Sequence, residues 1–148
     1  MRKTILFIGS LTLFSVIVFI AACGSGQKPT AENPIQGKVI KSGPAGNNLT
    51  ATISNAYGSL RKGQQEFMLV FTDASGKAVD VGSVALNNHM ASMGSMAEMN
   101  NAATFTTTGT PGVYKGKANI EMAGEWQAQI TYEGPAGKGS FSLPVTAK

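Results

Sequence analysis

From Ile35 onward the chain reads as short apolar segments rich in Val, Ile, Thr, Phe and Tyr, separated by clusters of Gly, Asn, Asp and Pro. Alternation is clearest where Tyr114, Gly116, Ala118 and Ile120 share one face, and where Trp126, Ala128, Ile130 and Tyr132 share another. A period of two marks half-buried antiparallel strands. The pattern predicts strands over 37–41, 49–57, 66–72, 82–88, 103–108, 113–120, 125–132 and 139–146. Turn-forming residues separate them at 42–48, 73–77 and 134–137. The run Phe67-Met68-Leu69-Val70-Phe71 is apolar on both faces, as a central strand requires, and it places Met68 and Phe71 in the core together with Trp126. Asn48-Leu49-Thr50 has the form of a glycosylation sequon but reads as a turn. No segment after Cys23 sustains a period of 3.6. The expected fold is all-β, an immunoglobulin-like antiparallel β-sandwich of seven to eight strands.

The N-terminal pattern is different in kind. Arg2 and Lys3 precede an almost unbroken apolar run from Ile5 to Ala22, the layout of an export signal. Ile20-Ala21-Ala22-Cys23 resembles the lipobox of bacterial lipoproteins, in which the cysteine receives a diacylglyceryl thioether and becomes the new N-terminus. An uncleaved membrane span is the competing reading, since 18 apolar residues sit at the short end of what crosses a bilayer. The flanking charge, the small pair Ala21-Ala22 and the abrupt polar sequence afterwards favour cleavage. Three segments follow: a signal peptide at 1–22, a lipidated Cys23 with a flexible Gly, Ser, Pro and Asn-rich tether to residue 34, and a single domain at 35–148. The expected location is outside the cytoplasm, anchored through Cys23 to membrane lipid. By resemblance to lipoprotein sorting signals, Gly24 points to the periplasmic face of the outer membrane if the cell is Gram-negative.

Composition narrows the chemistry. Removing Arg2 and Lys3 with the signal leaves ten of the twelve basic residues against eight acidic ones, so the domain is nearly neutral. No basic run with interleaved aromatics occurs, which argues against nucleic acid as a partner. Cys23 is the only cysteine and lipidation consumes it, leaving neither a disulfide nor a thiolate metal site. With one histidine and no phosphate loop or paired-carboxylate signature, the sequence is not that of an enzyme.

One segment is not explained by folding. Met90, Met93, Met96 and Met99 recur every third residue, with His89 immediately before them. A strand would send successive members to alternate faces, and an α-helix drifts off a three-residue stripe and is weakened by Gly94. In a fully extended chain neighbouring methionines stand roughly 10 Å apart, too far to share an ion. The loop must therefore turn or pair across strands. Thioether sulfur selects Cu(I) and imidazole also suits copper, so His89, Met90, Met93, Met96 and Met99 form a candidate ligand set. Met122, in the tight connection before Trp126, is a weaker candidate and reads equally as a cover for the indole. The purely structural alternative is that the methionines plug an irregular end of the sandwich or form an adaptable patch for a protein partner.

Thr72 to Val79, the methionine run, Gly112-Val113-Tyr114-Lys115-Gly116 and Met122-Ala123-Gly124-Glu125-Trp126 resemble the YtkA-like and FixH-like domains. That resemblance covers about 49–146. It implies an extracytoplasmic sandwich linked with copper handling, cytochrome oxidase assembly or metal efflux, with the methionine loop at Met90, Met93, Met96 and Met99. Two functions follow as expectations. The first is a Cu(I)-binding lipoprotein that buffers copper or passes it to a copper-handling membrane protein. The second is a metal-independent module that docks an efflux or oxidase-assembly complex.

Overall fold

The computed structural model describes residues 33–148; the expected signal peptide at 1–22, the expected lipidation site Cys23 and the expected tether up to residue 32 lie outside the described residues. Nine strands follow one another: β1 (Lys38–Gly46), β2 (Leu49–Asn55), β3 (Gly63–Thr72), β4 (Ser83–Met90), β5 (Met99–Ala102), β6 (Thr104–Thr107), β7 (Val113–Ile120), β8 (Gly124–Gly134) and β9 (Gly137–Ala147). They form a five-stranded sheet in the order β1-β2-β3-β7-β6 and a four-stranded sheet in the order β5-β4-β8-β9. Every strand pairing within them is antiparallel. The protein is an all-β sandwich.

The alternation seen in the sequence becomes the core. Tyr114, Gly116, Ala118 and Ile120 are buried from β7, and Trp126, Ala128, Ile130 and Tyr132 from β8, with exposed residues between them. Phe71 is fully buried and packs edge-on against Tyr114, Tyr132 and Phe141 at ring separations of 6.2, 5.3 and 6.2 Å. Such aromatic pairs add about 0.5–1.5 kcal/mol beyond the area they bury. The phenols bring their own acceptors: Tyr114 donates to the Gly82 carbonyl (2.8 Å) and Tyr132 to the Ala45 carbonyl (3.1 Å). Burial pushes the Tyr114 hydroxyl above its ordinary pKa.

Three details differ from the sequence reading. Residues 42–46 are not turn but the second half of β1, paired with β2 through irregularities at Val39/Lys41 and Pro44/Gly46. Pro44 fits because β1 is an edge strand with no partner on its other side. The turn itself is only Asn47-Asn48, both at positive φ (51° and 58°), the two-residue type I′ loop that Asn favours. Second, nine strands replace the expected seven to eight because the polar segment Met99–Ala102 pairs with β4 as β5. Its Asn100 and Asn101 carry no strand propensity, and cross-strand context overrides that. Third, Met68 is not core: Phe67, Leu69 and Phe71 point inward, which by strand parity puts Met68 on the outer face, only half-buried.

The register brings the starts of β1, β3, β5 and β8 and the ends of β2, β4, β7 and β9 to one end of the sandwich. The pairs Lys38↔Asn55, Gly63↔Ile120, Met90↔Met99 and Gly124↔Ala147 all lie there. Leu60 and Ala147 bridge the two sheets at this end, where Lys148 N–H donates to the Leu60 carbonyl (2.9 Å). The methionine segment projects from it.

Candidate metal centre

The three-residue spacing resolves into a hairpin. Met90 faces Met99 at the last pairing of β4 with β5, and Met93 faces Met96 across a tight turn. Four residues spaced by three are symmetric about their midpoint. A two-residue turn at that midpoint, Gly94-Ser95, therefore makes them two cross-strand pairs. Met93 and Met96 each donate an amide to the other's carbonyl, at 3.1 and 2.9 Å. Gly94 at φ +57°, followed by Ser95 at negative φ, has the pattern of a II′ turn, in which glycine holds the first central position.

The two pairs live in different surroundings. Residues 91–98 are all exposed, so the arm leaves the sandwich after Met90. At its tip Met93 is 55% and Met96 40% exposed. Partners in such a doubly bonded pair stand about 5.5 Å apart at Cα, close enough for two flexible thioethers to grip one ion. Met90, by contrast, is 2% exposed and its methyl lies over Gly124, where a Cβ would come within 2.9 Å of it. Met99 and Met122 are partly buried against the same core, and Trp126 Nε1–H donates to the Met122 carbonyl (3.1 Å). The indole is thus tied to the backbone of Met122, a contact that does not depend on the methionine side chain.

Beneath the inner pair the sandwich is unexpectedly polar. Asn88 and Asn101 face one another, Asn88 Nδ2 donates to the Asn101 carbonyl (3.4 Å), and Asn101 Nδ2 is buried without an acceptor among the described residues. No sequence signal pointed to this pair; inward-facing asparagines become visible only once β5 is placed beside β4.

His89 does not join Met90. Successive residues of β4 alternate, with Leu86, Asn88 and Met90 inward and Asn87 and His89 outward. His89 sits in an amide patch on the outer face, its Nδ1 3.1 Å from Asn100 Oδ1, which also accepts from Asn87 Nδ2 (2.9 Å). An amide oxygen only accepts, so in this contact Nδ1 is the donor. The structure therefore brings Met93 to Met96 and Met90 to Met99, packs Met122 against the core, and turns His89 to the other face.

The donors present suit a soft monovalent cation. The hairpin offers four thioethers and one carboxylate, Glu98. Among the described residues no group of three or more His, Cys, Asp and Glu side chains converges to hold a metal ion, so a hard or borderline dication finds no ready cage.

Comparison with known proteins adds the lineage. The chain matches no curated protein and no solved structure. The YtkA-like family model matches residues 45–131, more than half of the chain and the span from the end of β1 into β8, including the whole methionine hairpin. With its all-β sandwich, this chain belongs to the YtkA-like family.

Proposed function

We propose that this protein is an extracytoplasmic lipoprotein, anchored through Cys23, that binds Cu(I) on its methionine hairpin and buffers it or passes it to a membrane protein. The observation that carries this reading is the exposed Met93–Met96 pair, two soft donors held opposite each other on an arm that leaves the fold. A core would bury such side chains. Met90 and Met99, next along the arm, supply further thioethers to an ion that moves inward, while His89 stands apart from both pairs. When copper is bound the protein contributes ligation and delivery, without catalysis.

The test is competition between metals on the domain spanning 31–148 under reducing conditions. Cu(I) and Ag(I) should bind, and Zn(II) in excess should displace neither, because softness rather than charge makes the bond. Zn(II) binding as tightly as Cu(I) would contradict the reading.

A second reading draws on the same exposure. Met93 and Met96 are flexible apolar side chains at the tip of a projecting arm, which suits docking to an efflux or oxidase-assembly complex without metal. Docking that survives rigorous removal of copper would favour it.

A further inference from the structure

All four large apolar side chains left exposed in the described residues lie at the end that bears the methionine hairpin. Met93 and Met96 occupy one edge; Val39 (50%) and Tyr57 (59%) occupy the other. The second pair sits among cations. Lys38 and Lys41 flank Val39 on β1, and Arg61 and Lys62 follow Tyr57 in the connection between β2 and β3, all four exposed. The Arg61 guanidinium lies 4.1 Å above the Tyr57 ring, and the Lys38 stem packs over Gly58, so strand and loop make one surface.

That surface is preformed. Asn55 Oδ1 accepts from the Tyr57 and Gly58 amides (2.8 and 2.7 Å) and its Nδ2 donates to the Ser59 carbonyl (2.8 Å). Elsewhere Lys115 and Lys117 are paired with Glu66, and Lys138 with Glu133. Among the described residues Lys38, Lys41, Arg61 and Lys62 have no such carboxylate partner. The side-chain carboxylates of this end among the described residues, Glu98, Glu121 and Glu125, belong to the hairpin arm, the β7–β8 turn and the start of β8 instead. A groove of about 220 Å³ between the start of β1 and the end of β9 has Lys41 and Lys148 on its walls.

We propose that this edge docks onto an anionic phospholipid surface. Tyr57 offers an apolar body and a polar tip suited to headgroup depth, Val39 adds apolar area, and lysine stems reach outward to phosphates. Arg61 presents a planar fork that matches phosphate oxygens. Lys38 follows Cys23 by fifteen residues, so the intervening chain, at no more than about 3.6 Å per residue, readily lets this end rest on the membrane that holds the anchor. The inference uses the membrane location of the reading above and none of its metal chemistry. Its consequence is that the hairpin, at the same end, faces the bilayer rather than open solvent.

The test uses the full chain anchored in metal-free vesicles, with Tyr57→Trp as probe and brominated lipid as quencher. In vesicles rich in phosphatidylglycerol the introduced indole should be quenched; in pure phosphatidylcholine, or at raised salt, it should not. Each cation near an anionic surface is worth about fivefold in the docked-to-undocked ratio. Adding Lys38→Gln, Lys41→Gln, Arg61→Gln and Lys62→Gln should therefore abolish the quenching, while the buried emission of Trp126 reports that the variant is folded. Equal quenching in both lipids, or quenching that survives neutralisation of all four cations, would overturn the proposal. So would a probe untouched by any vesicle but shifted by an acidic polypeptide, which would assign the patch to a protein. Because no copper is present, this outcome is separate from that of the metal titration.

Discussion

Met90 and Met93 stand three residues apart on one arm of a hairpin, yet one is 2% exposed and the other 55%. Their partners repeat the contrast: Met99 packs partly against the core and Met96 stands in solvent. The same side chain therefore serves two physical ends. At the root of the arm it fills space over Gly124 beside the Met122 turn, where an adaptable thioether suits an irregular boundary. At the tip it stays 55% exposed at Met93 and 40% at Met96, so packing accounts for it less well, and the proposed ligand role of the sulfur rests on that difference. The boundary falls after Met90, where inward-facing positions of β4 run out and the arm continues alone.

The largest effect that sharpens this contrast belongs to the floor beneath the root. Trp126, 1% exposed and hydrogen-bonded to the Met122 carbonyl, should cost about 3–5 kcal/mol when truncated to Ala, and Phe71→Ala a similar amount. Either loss would bring a domain at the low end of ordinary stability, about 5 kcal/mol, close to its unfolding midpoint. Chemical denaturation checks it; a loss below about 1 kcal/mol would mean that this end is not packed as described.

Next comes the contrast within the arm. Met90→Ala should lower stability by about 2–5 kcal/mol, whereas Met93→Ala should stay within about 0.5 kcal/mol of wild type. Met90→Leu keeps most of the volume and should cost less than about 1.5 kcal/mol. Comparable losses at Met90 and Met93 would erase the distinction between root and tip.

The smallest effect lies on the opposite sheet. Lys117 and then Lys115 hydrogen-bond to Glu66 and attract it, holding its carboxyl below the usual range. A folded-state pKa lowered in this way contributes stability above the unfolded-state value, and that contribution disappears as pH falls through the folded one. Glu66→Gln should therefore be slightly less stable than wild type at neutral pH and indistinguishable from it in acid. The pair is exposed, so the difference should also shrink with salt. Denaturation midpoints at two pH values decide it, and a gap that persists in acid would point to packing instead.

Much of the fold was legible because side-chain periodicity and burial coincide in strands such as β7 and β8, where each inward residue is apolar. Phe71 and Trp126 were placed in the core on that basis, and both are buried. Legibility failed where the two signals separate. Met68 is apolar yet points outward from a central strand, and Asn88 is polar yet 3% exposed. β5 is a strand by pairing alone, without propensity of its own. In the candidate site the spacing correctly required a turn or a cross-strand arrangement. It was silent on which residues share a face, because the parity that sends His89 outward and Met90 inward is fixed by where β4 enters the core.

The central claim is that the hairpin sulfurs, and the tip pair first, hold Cu(I). Its most direct test is the Cu(I) affinity of the domain carrying Met93→Leu and Met96→Leu, measured by competition under reducing conditions, with the four-fold variant that adds Met90→Leu and Met99→Leu beside it. Leucine keeps most of the apolar volume and removes the donor, so both variants should remain folded. The account predicts that the double variant loses most of the affinity and the quadruple variant all of it. Unchanged Cu(I) affinity in the folded quadruple variant would contradict it.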